Sequence, residues 1–553
     1  MLRKIISFLF LPLGCILVAI YPIINFWSYN WEEVFSQELL LIFSIAIAGS
    51  GVLFLLFFGI FRKKYKAILA TQIFLIMFVA FDWFFSENSL LEQIFQDVAI
   101  DYSFLRRTVL CTFWISLFSI FIFFTNKTKI GLRVIINIIN IFFLVLIILS
   151  FIKIANNFSY SQKQNNNKIF KFQCKNSIGY KPDIYYIILD MHAREDVYKW
   201  VYNYKSEFTK ELKKRKFHLL GSSCCNYAHT SLSIPSSLSM DYLDLKNNDK
   251  YSPSKQICKS QLLKLLKKNG YKIINISSNS GFTTSLKIAD YELNRPFLAP
   301  GEFSHQLFQK TFFLLVLNEK LINFIFNSSL NFVNEKRRCI AVQLKYLKQT
   351  KSIIKQSPLF VFCHLLCPHP IYIFSKKNEG NKYPFDLEKR KVFVNETKNI
   401  DKKIISTIDT ILKKYDNKPI IILQSDHGPG MSNYPYFFGK TSTQTKTTIK
   451  EKMSILNAIY LPTEGEKLFY KSITPVNTFR LILNFYFGTK LKILKDRCYW
   501  STESDYKNLY ELSSDFINSI NLEKTIKNEL KEMKKQNKKY KFDFFNQKFN
   551  IYL

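Results

Sequence analysis

The stretch "IIILQSDHGPG", residues 420–430, decides how the rest of the chain is read. Four aliphatic residues and an amide lead into a serine, an acid, a histidine and a glycine. Read as a plain turn, Asp426 and Gly428 are ordinary turn residues. Read as the carboxyl end of a buried parallel strand, they sit where open α/β sheets keep their ligand sites. Asp426 and His427 would then be a ligand pair for a divalent cation. Other segments separate the two readings.

Further strand-like runs are "DIYYIILD" (183–190), "YKIINIS" (271–277), "LFVFCHLL" (359–366) and "LNAIYLP" (456–462). They alternate with amphipathic segments such as "SQLLKLLKKN" (260–269) and "VNETKNIDKKIISTIDTILKKY" (394–415). Continuous apolar strands between helices predict a mostly parallel sheet covered on both faces, an α/β/α sandwich. "DIYYIILD" delivers Asp190 to a strand end as 420–430 delivers Asp426. A lone acid after a strand is more often a helix N-cap. Here it is joined by the hydroxyl-rich "SSCCNYAHTSLSIPSSLSMDYL" (222–243) and by "HLLCPHP" (364–370). Five of the seven histidines, His192, His229, His364, His369 and His427, fall in these four stretches once the first is extended to "IILDMHARED" (187–196). Singly, Thr230 and Ser233 read as capping residues and His364 as a satisfied buried histidine. Together and in this order they predict a site in which a metal ion activates a threonine hydroxyl.

A chain of 553 residues exceeds one hydrophobic core, so at least two domains are expected. Residues 5–27, 38–61, 67–85, 109–125 and 131–152 are apolar runs near the ~20 residues a spanning helix needs. The first lacks a small-residue cleavage site and reads as a retained span. Basic loops "RKKYK" (62–66) and "NKTKIGLR" (126–133) alternate with loops carrying Glu32, Glu33 and Glu38, then Glu87, Glu92, Asp97 and Asp101. That alternation predicts a cytoplasmic amino terminus and an outer domain on the far side of the membrane, with Arg106 and Arg107 against the pattern. The expected organisation is a five-span transmembrane anchor over 1–154, a polar linker over 155–181, a sheet domain over 182–500 and a basic helical extension over 501–553.

Most of the charge is outside the anchor: 65 Lys/Arg against 34 Asp/Glu after residue 154. Anionic headgroups or acidic glycans suit such a surface. Codon bias toward Lys, Asn, Ile, Phe and Tyr explains it equally well. No nucleic-acid recognition motif is present, and no obligate protein partner is implied. Eight of the ten cysteines lie in the outer part, where an oxidising compartment would permit disulfides of unreadable connectivity.

The order "DIYYIILD", "NYAHTSLSIPSSLS", "HLLCPHP", "SDHG" resembles the alkaline phosphatase superfamily. More narrowly it is similar to the membrane-bound sulfatase-like hydrolases and transferases, including phosphoethanolamine transferases and lipoteichoic acid synthases. The resemblance implies an alkaline phosphatase/sulfatase-like fold for the outer domain. It implies that Thr230, in "TSLS", is the nucleophile. It makes Asp190, Thr230, Asp426 and His427 ligands of one divalent ion, zinc with manganese as the alternative. It places His364 and His369 at the phosphoryl group, and Arg194 and Ser233 complete the set as substrate contacts. The implied reaction moves a phospho-linked group from a membrane phospholipid to a glycan or lipid acceptor at the bacterial inner membrane; with water as acceptor it is a hydrolysis. Thr230 stands where classical sulfatases carry the cysteine of C-x-P-x-R, so ordinary sulfate-ester hydrolysis is not expected.

Overall fold

A computed structural model describes residues 2–29, 36–85, 103–127, 131–163, 181–245, 251–278, 281–293, 307, 332–355, 358–370, 372–374, 387–430, 446–462, 468–501, 508–526 and 528. The chain divides into two compact units. One holds residues 1–167 with 279–285 and 296–335, and the other holds the remainder.

In the first unit each apolar run forms a helix: α1 (Leu2–Tyr29), α2 (Ser36–Phe61), α3 (Lys64–Phe85), α4 (Ser103–Lys127) and α5 (Leu132–Lys163). Two of them, over Leu39–Phe61 and Leu132–Asn156, are long and apolar enough to cross a membrane. At about 1.5 Å per residue, the shorter of these covers roughly the 30 Å of a hydrocarbon core. Over the residues whose side chains are described, α1 and α4 contribute the shorter apolar stretches Leu13–Tyr29 and Thr112–Thr125. Arg106 and Arg107 open α4, and α3 carries Lys64, Lys66 and Asp82. Five helices therefore form where five spans are expected, and among the described residues two meet the length and hydropathy requirement. Inside the bundle Gln72 Nε2 donates to Asn140 Oδ1 at 2.7 Å. A Cβ on Gly14 would stand 2.0 Å from that same Asn140 oxygen, so α1 approaches closely only because the residue is glycine. Outward, Leu55, Phe124 and Ile138 are largely exposed. The acidic loop residues other than Glu38 lie outside the described residues. The last helix runs to Lys163, past the point where a linker is expected to begin; 164–180 lie outside the described residues.

The second unit is built on a seven-stranded sheet in the order β2-β7-β6-β1-β5-β3-β4. The strands are β1 (Ile184–Leu189), β2 (His218–Leu219), β3 (Lys272–Ile276), β4 (Tyr291–Leu293), β5 (Leu359–Leu365), β6 (Ile420–Gln424) and β7 (Asn457–Tyr460). β6, β1, β5, β3 and β4 are mutually parallel, and β7 pairs antiparallel with both β6 and β2. All five expected strands form, with β7 antiparallel at one side. β1, β5 and β6 are buried along their whole length, as a sheet covered on both faces requires.

Adjacent residues of β1 show the two layers. Tyr186 points to one face and meets Phe479 edge-on at 5.0 Å, on a helix over Pro475–Phe487. Tyr185 points to the other and shares a 2.9 Å hydroxyl contact with Tyr415, just past the helix over Leu387–Lys413. That second helix buries Ile400, Ile404, Ile408 and Ile411, the spacing of one helical face. A separate antiparallel pair, β8 (Arg497–Trp500) and β9 (Tyr510–Ser513), straddles residue 500, where a domain boundary is expected. Of the basic tail, 522–526 are helical and residues from 529 onward lie outside the described residues.

Candidate active site

β1 is flanked by β6 on one side and β5 on the other, all three parallel. Their carboxyl ends therefore open on the same edge, where an α/β sheet presents its site. Asp190 follows β1, Asp426 and His427 follow β6, and their ligating atoms lie within 4.8 Å of one another. This is the ligand pair that the opening stretch suggests, joined by the first-strand acid.

Local backbone explains the convergence. Met191 adopts φ +63°, so the chain turns sharply after Asp190, and its N–H donates to Asp426 Oδ1 at 3.3 Å. Gly428 N donates to Lys452 O at 2.7 Å, and a Cβ there would lie 2.0 Å from Glu451 O. Only glycine permits that approach. We expect Gly428→Ala to displace the Asp426–His427 turn and cost about 1–3 kcal/mol or more. Chemical denaturation together with bound-metal content checks this, and a wild-type value in both would contradict it.

Thr230 is the first residue of a ten-residue helix, α6 (Thr230–Ser239). Its Oγ1 donates to Asp426 Oδ2 at 2.6 Å and lies 3.1 Å from His427 Nε2. Thr230 is half-buried, whereas Asp190, Asp426 and His427 are buried, so Thr230 is the member of the cluster that reaches toward solvent. Pro235 within α6 deprives the Ser231 carbonyl of its helical donor. Tyr251 OH takes that place at 2.7 Å. Ser233 Oγ donates to the Asp426 carbonyl at 2.7 Å; it fastens α6 to the strand end and is not placed as a substrate contact.

The electrostatics favour a cation. Burial pushes the Asp426 carboxyl up to about 6, with the Asp190 charge adding to it. Burial also acts to raise Asp190, but His369, His364 and His427 hold it below the usual carboxylate range. Burial, then Lys452, lowers His427 to about 3, which keeps the imidazole neutral and able to ligate. Its Nδ1 lies 2.8 Å from the Gly428 carbonyl. A carbonyl only accepts, so the proton is on Nδ1 and the Nε2 lone pair faces the cluster. Asp190 Oδ1 is buried without a hydrogen-bond partner, a costly state unless something else occupies its lone pairs. Two buried carboxylates, one orphaned oxygen and a neutral imidazole fit a divalent ion.

The remaining expected residues divide. His364 is buried on β5 with Nε2 3.5 Å from Asp190 Oδ2. It braces a candidate ligand and does not face outward to a phosphoryl group. His369 is half-buried, just past the cis Cys367–Pro368 bond, and is close enough to influence Asp190. Arg194 is not available to substrate. Its Nε and Nη2 form a two-point pair with Asp196 at 2.8 Å each, and Nη1 donates to Ser223 O and Asn518 Oδ1. His192 points away, its ring held between Asp401 at 2.9 Å and the Ala193 carbonyl. Among the described residues all cysteines are free thiols.

Three shaping positions belong to no motif. Buried Glu396 accepts from Ile373 N and Phe374 N at 2.8 Å each, fixing the chain just after His369. Lys336 Nζ donates to the His369 carbonyl at 2.5 Å. Asp401 holds His192. Glu396 and Asp401 are acids on the buried side of the 387–413 helix, and an acid on an apolar stripe is the signal that marks them.

Residues 182–456 match the Sulfatase family. No curated protein matches the chain in sequence. Among solved structures, the chain is similar to the C-terminal periplasmic domain of EptC from Escherichia coli in complex with Zn, at 15% identity, TM-score 0.41, over 62% of this chain and 95% of that one. It is also similar to the integral membrane lipooligosaccharide phosphoethanolamine transferase A of Neisseria meningitidis, at 11% identity, TM-score 0.34, over 86% and 95%. A protein in the alkaline phosphatase superfamily from Vibrio parahaemolyticus matches at 10% identity, TM-score 0.36, over 64% and 82%. The strand-end cluster, Thr230 included, thus lies within the stretch that matches the Sulfatase family, and that match supports a sulfatase-like enzyme.

Proposed function

We propose that the chain is a metal-dependent transferase of the bacterial cytoplasmic membrane. It moves a phospho-linked group, phosphoethanolamine or phosphoglycerol in type, from a membrane phospholipid to a glycan or lipid of the envelope. The observation that carries this reading is the Thr230 hydroxyl, held 2.6 Å from Asp426 and 3.1 Å from His427 at the open side of a buried ligand cluster. Asp190, Asp426, His427 and Thr230 would hold one ion, zinc by its mixed oxygen and nitrogen donors, with manganese as the alternative. When bound, such an ion supplies Lewis acidity that favours loss of the hydroxyl proton and offsets charge on the phosphoryl oxygens.

The chain's own groups do the rest. Thr230 Oγ1 forms a bond to phosphorus as the bond from phosphorus to the lipid alkoxide breaks, leaving a phosphodiester on threonine. The N–H groups at the start of α6 favour the negative charge that gathers there. His369 gives a proton to the departing oxygen, while His364 holds Asp190 in place. An acceptor hydroxyl then attacks phosphorus and Thr230 leaves with its hydroxyl restored. With water as acceptor the same residues hydrolyse the ester. The full-length protein in lipid should release diacylglycerol from a fluorescent phosphatidylethanolamine or phosphatidylglycerol, with chelator abolishing release. No headgroup loss from either lipid would overturn the reading.

For topology we propose five spans over 1–154 with a cytoplasmic amino terminus, a linker over 155–181, a catalytic domain over 182–500 and a basic extension over 501–553, all after 154 outside. Alternating loop charge supports it. Reporter fusions after residues 64 and 160 should show opposite sidedness, and matching results would contradict it.

A further inference from the structure

Residues 488–497, "GTKLKILKDR", have no strand or helix partner until Arg497, yet side-chain hydrogen bonds hold them. The helix over Pro475–Phe487 presents Asn477, Arg480 and Asn484 at spacings of three and four, one stripe along its surface. Asn484 Nδ2 donates to Leu491 O at 2.8 Å and Asn484 Oδ1 accepts from Leu491 N at 2.7 Å. Asn477 repeats the pattern on Leu494, at 2.8 and 2.9 Å. Between them Arg480 Nη1 donates to Lys492 O at 2.7 Å. Side-chain amides thus stand in for a neighbouring strand, and the segment is strapped along the helix in one register.

That register fixes what faces out. Leu491 and Leu494 are half-buried, while Lys490, Lys492, Ile493 and Lys495 are exposed, Ile493 at 36%. The segment's single carboxylate, Asp496, is turned inward, accepting from Tyr470 OH at 2.5 Å and Thr474 Oγ1 at 2.6 Å. Arg497 has Glu511 at 3.5 Å. Among the described residues no carboxylate lies within ion-pair distance of the three lysines. Three unpaired cations around an exposed aliphatic side chain, on a hydrogen-bonded support and with their acid turned inward, form a surface with a defined complement.

We infer that this strap docks on an anionic phospholipid surface. The lysines meet the phosphate groups, and Ile493 enters the boundary between headgroups and acyl chains. A soluble polyanion would use the lysines but leave Ile493 in water, and the isoleucine is what selects a membrane. The inference concerns where the unit rests and does not depend on which group Thr230 transfers.

The test uses full-length protein reconstituted in vesicles, with a photocrosslinking amino acid introduced at Ile493 and radiolabelled lipid. Phosphatidylcholine containing about 30% phosphatidylglycerol should give labelled protein, and phosphatidylcholine alone roughly tenfold less. The combined change Lys490→Glu, Lys492→Glu, Lys495→Glu should remove the labelling, as should raising salt to about 0.5 M. The milder Lys→Gln triple variant, with bound-metal content as a measure of intact fold, keeps the result interpretable. Equal labelling in both lipid compositions, or full labelling in either triple variant, would overturn the inference. So would the absence of labelling while dextran sulfate shields the lysines from acylation, which would assign the strap to a glycan.

Discussion

Thr230→Ala should abolish headgroup transfer while leaving the fold and most of the bound metal in place. Thr230 is half-buried while the other three members of the cluster are buried, and its oxygen is poised between Asp426 Oδ2 and His427 Nε2. Without it nothing remains to form the bond to phosphorus. A nucleophile that acts as a unit with its activating groups costs roughly three or more orders of magnitude when removed, about 4 kcal/mol of barrier. Metal should persist because Asp190, Asp426 and His427 remain. Thr230→Ser keeps the oxygen and loses the methyl that restricts its rotamer, so part of the activity should survive. Steady-state assays of the two variants beside metal analysis check this. Undiminished turnover in the alanine variant would remove Thr230 from the chemistry.

Asp426→Asn should have the opposite signature, with metal lost first and activity with it. Loss of a partner outside the ligand set typically weakens metal binding ten- to a hundredfold, so replacing a direct ligand should exceed that range. The fold should not suffer. Asp426 sits buried beside Asp190, and burial with that neighbouring charge pushes its carboxyl up to about 6; a neutral amide relieves the repulsion and can still accept from Thr230, giving up only the long 3.3 Å bond from Met191 N. Elemental analysis after dialysis should find wild-type protein loaded and the variant largely empty, with unchanged far-ultraviolet circular dichroism. Full metal retention would exclude Asp426 as a ligand.

Much of this arrangement is legible in the amino-acid sequence. Period and length mark all five expected strands of the sheet, because buried parallel strands are continuous apolar runs bounded by turns. Asp190, Asp426, His427 and Thr230 come together as expected, since strand ends on one edge leave little freedom. Short elements escape. β2 is two residues and β4 three, too short for any period, and β8 finds its partner β9 only across residues 501–509. The side chains of Arg194 and Ser233, expected as substrate contacts, are engaged within the protein instead. Sequence names a polar side chain but not what satisfies it, and Asp196, Ser223 and the Asp426 carbonyl already occupy them. Glu396 and Lys336 stand in no motif because they act on the backbone around His369.

The central claim is a covalent intermediate on Thr230, and mass spectrometry of protein quenched during turnover tests it most directly. Denatured in acid after mixing with phospholipid, the peptide containing "NYAHTSLSIPSSLS" should carry the mass of the transferred phospho-linked group. Fragmentation should place it on Thr230, and the adduct should vanish on adding acceptor or in Thr230→Ala. An adduct on Ser231 or Ser233, or turnover with no adduct at any quench time, would contradict the account.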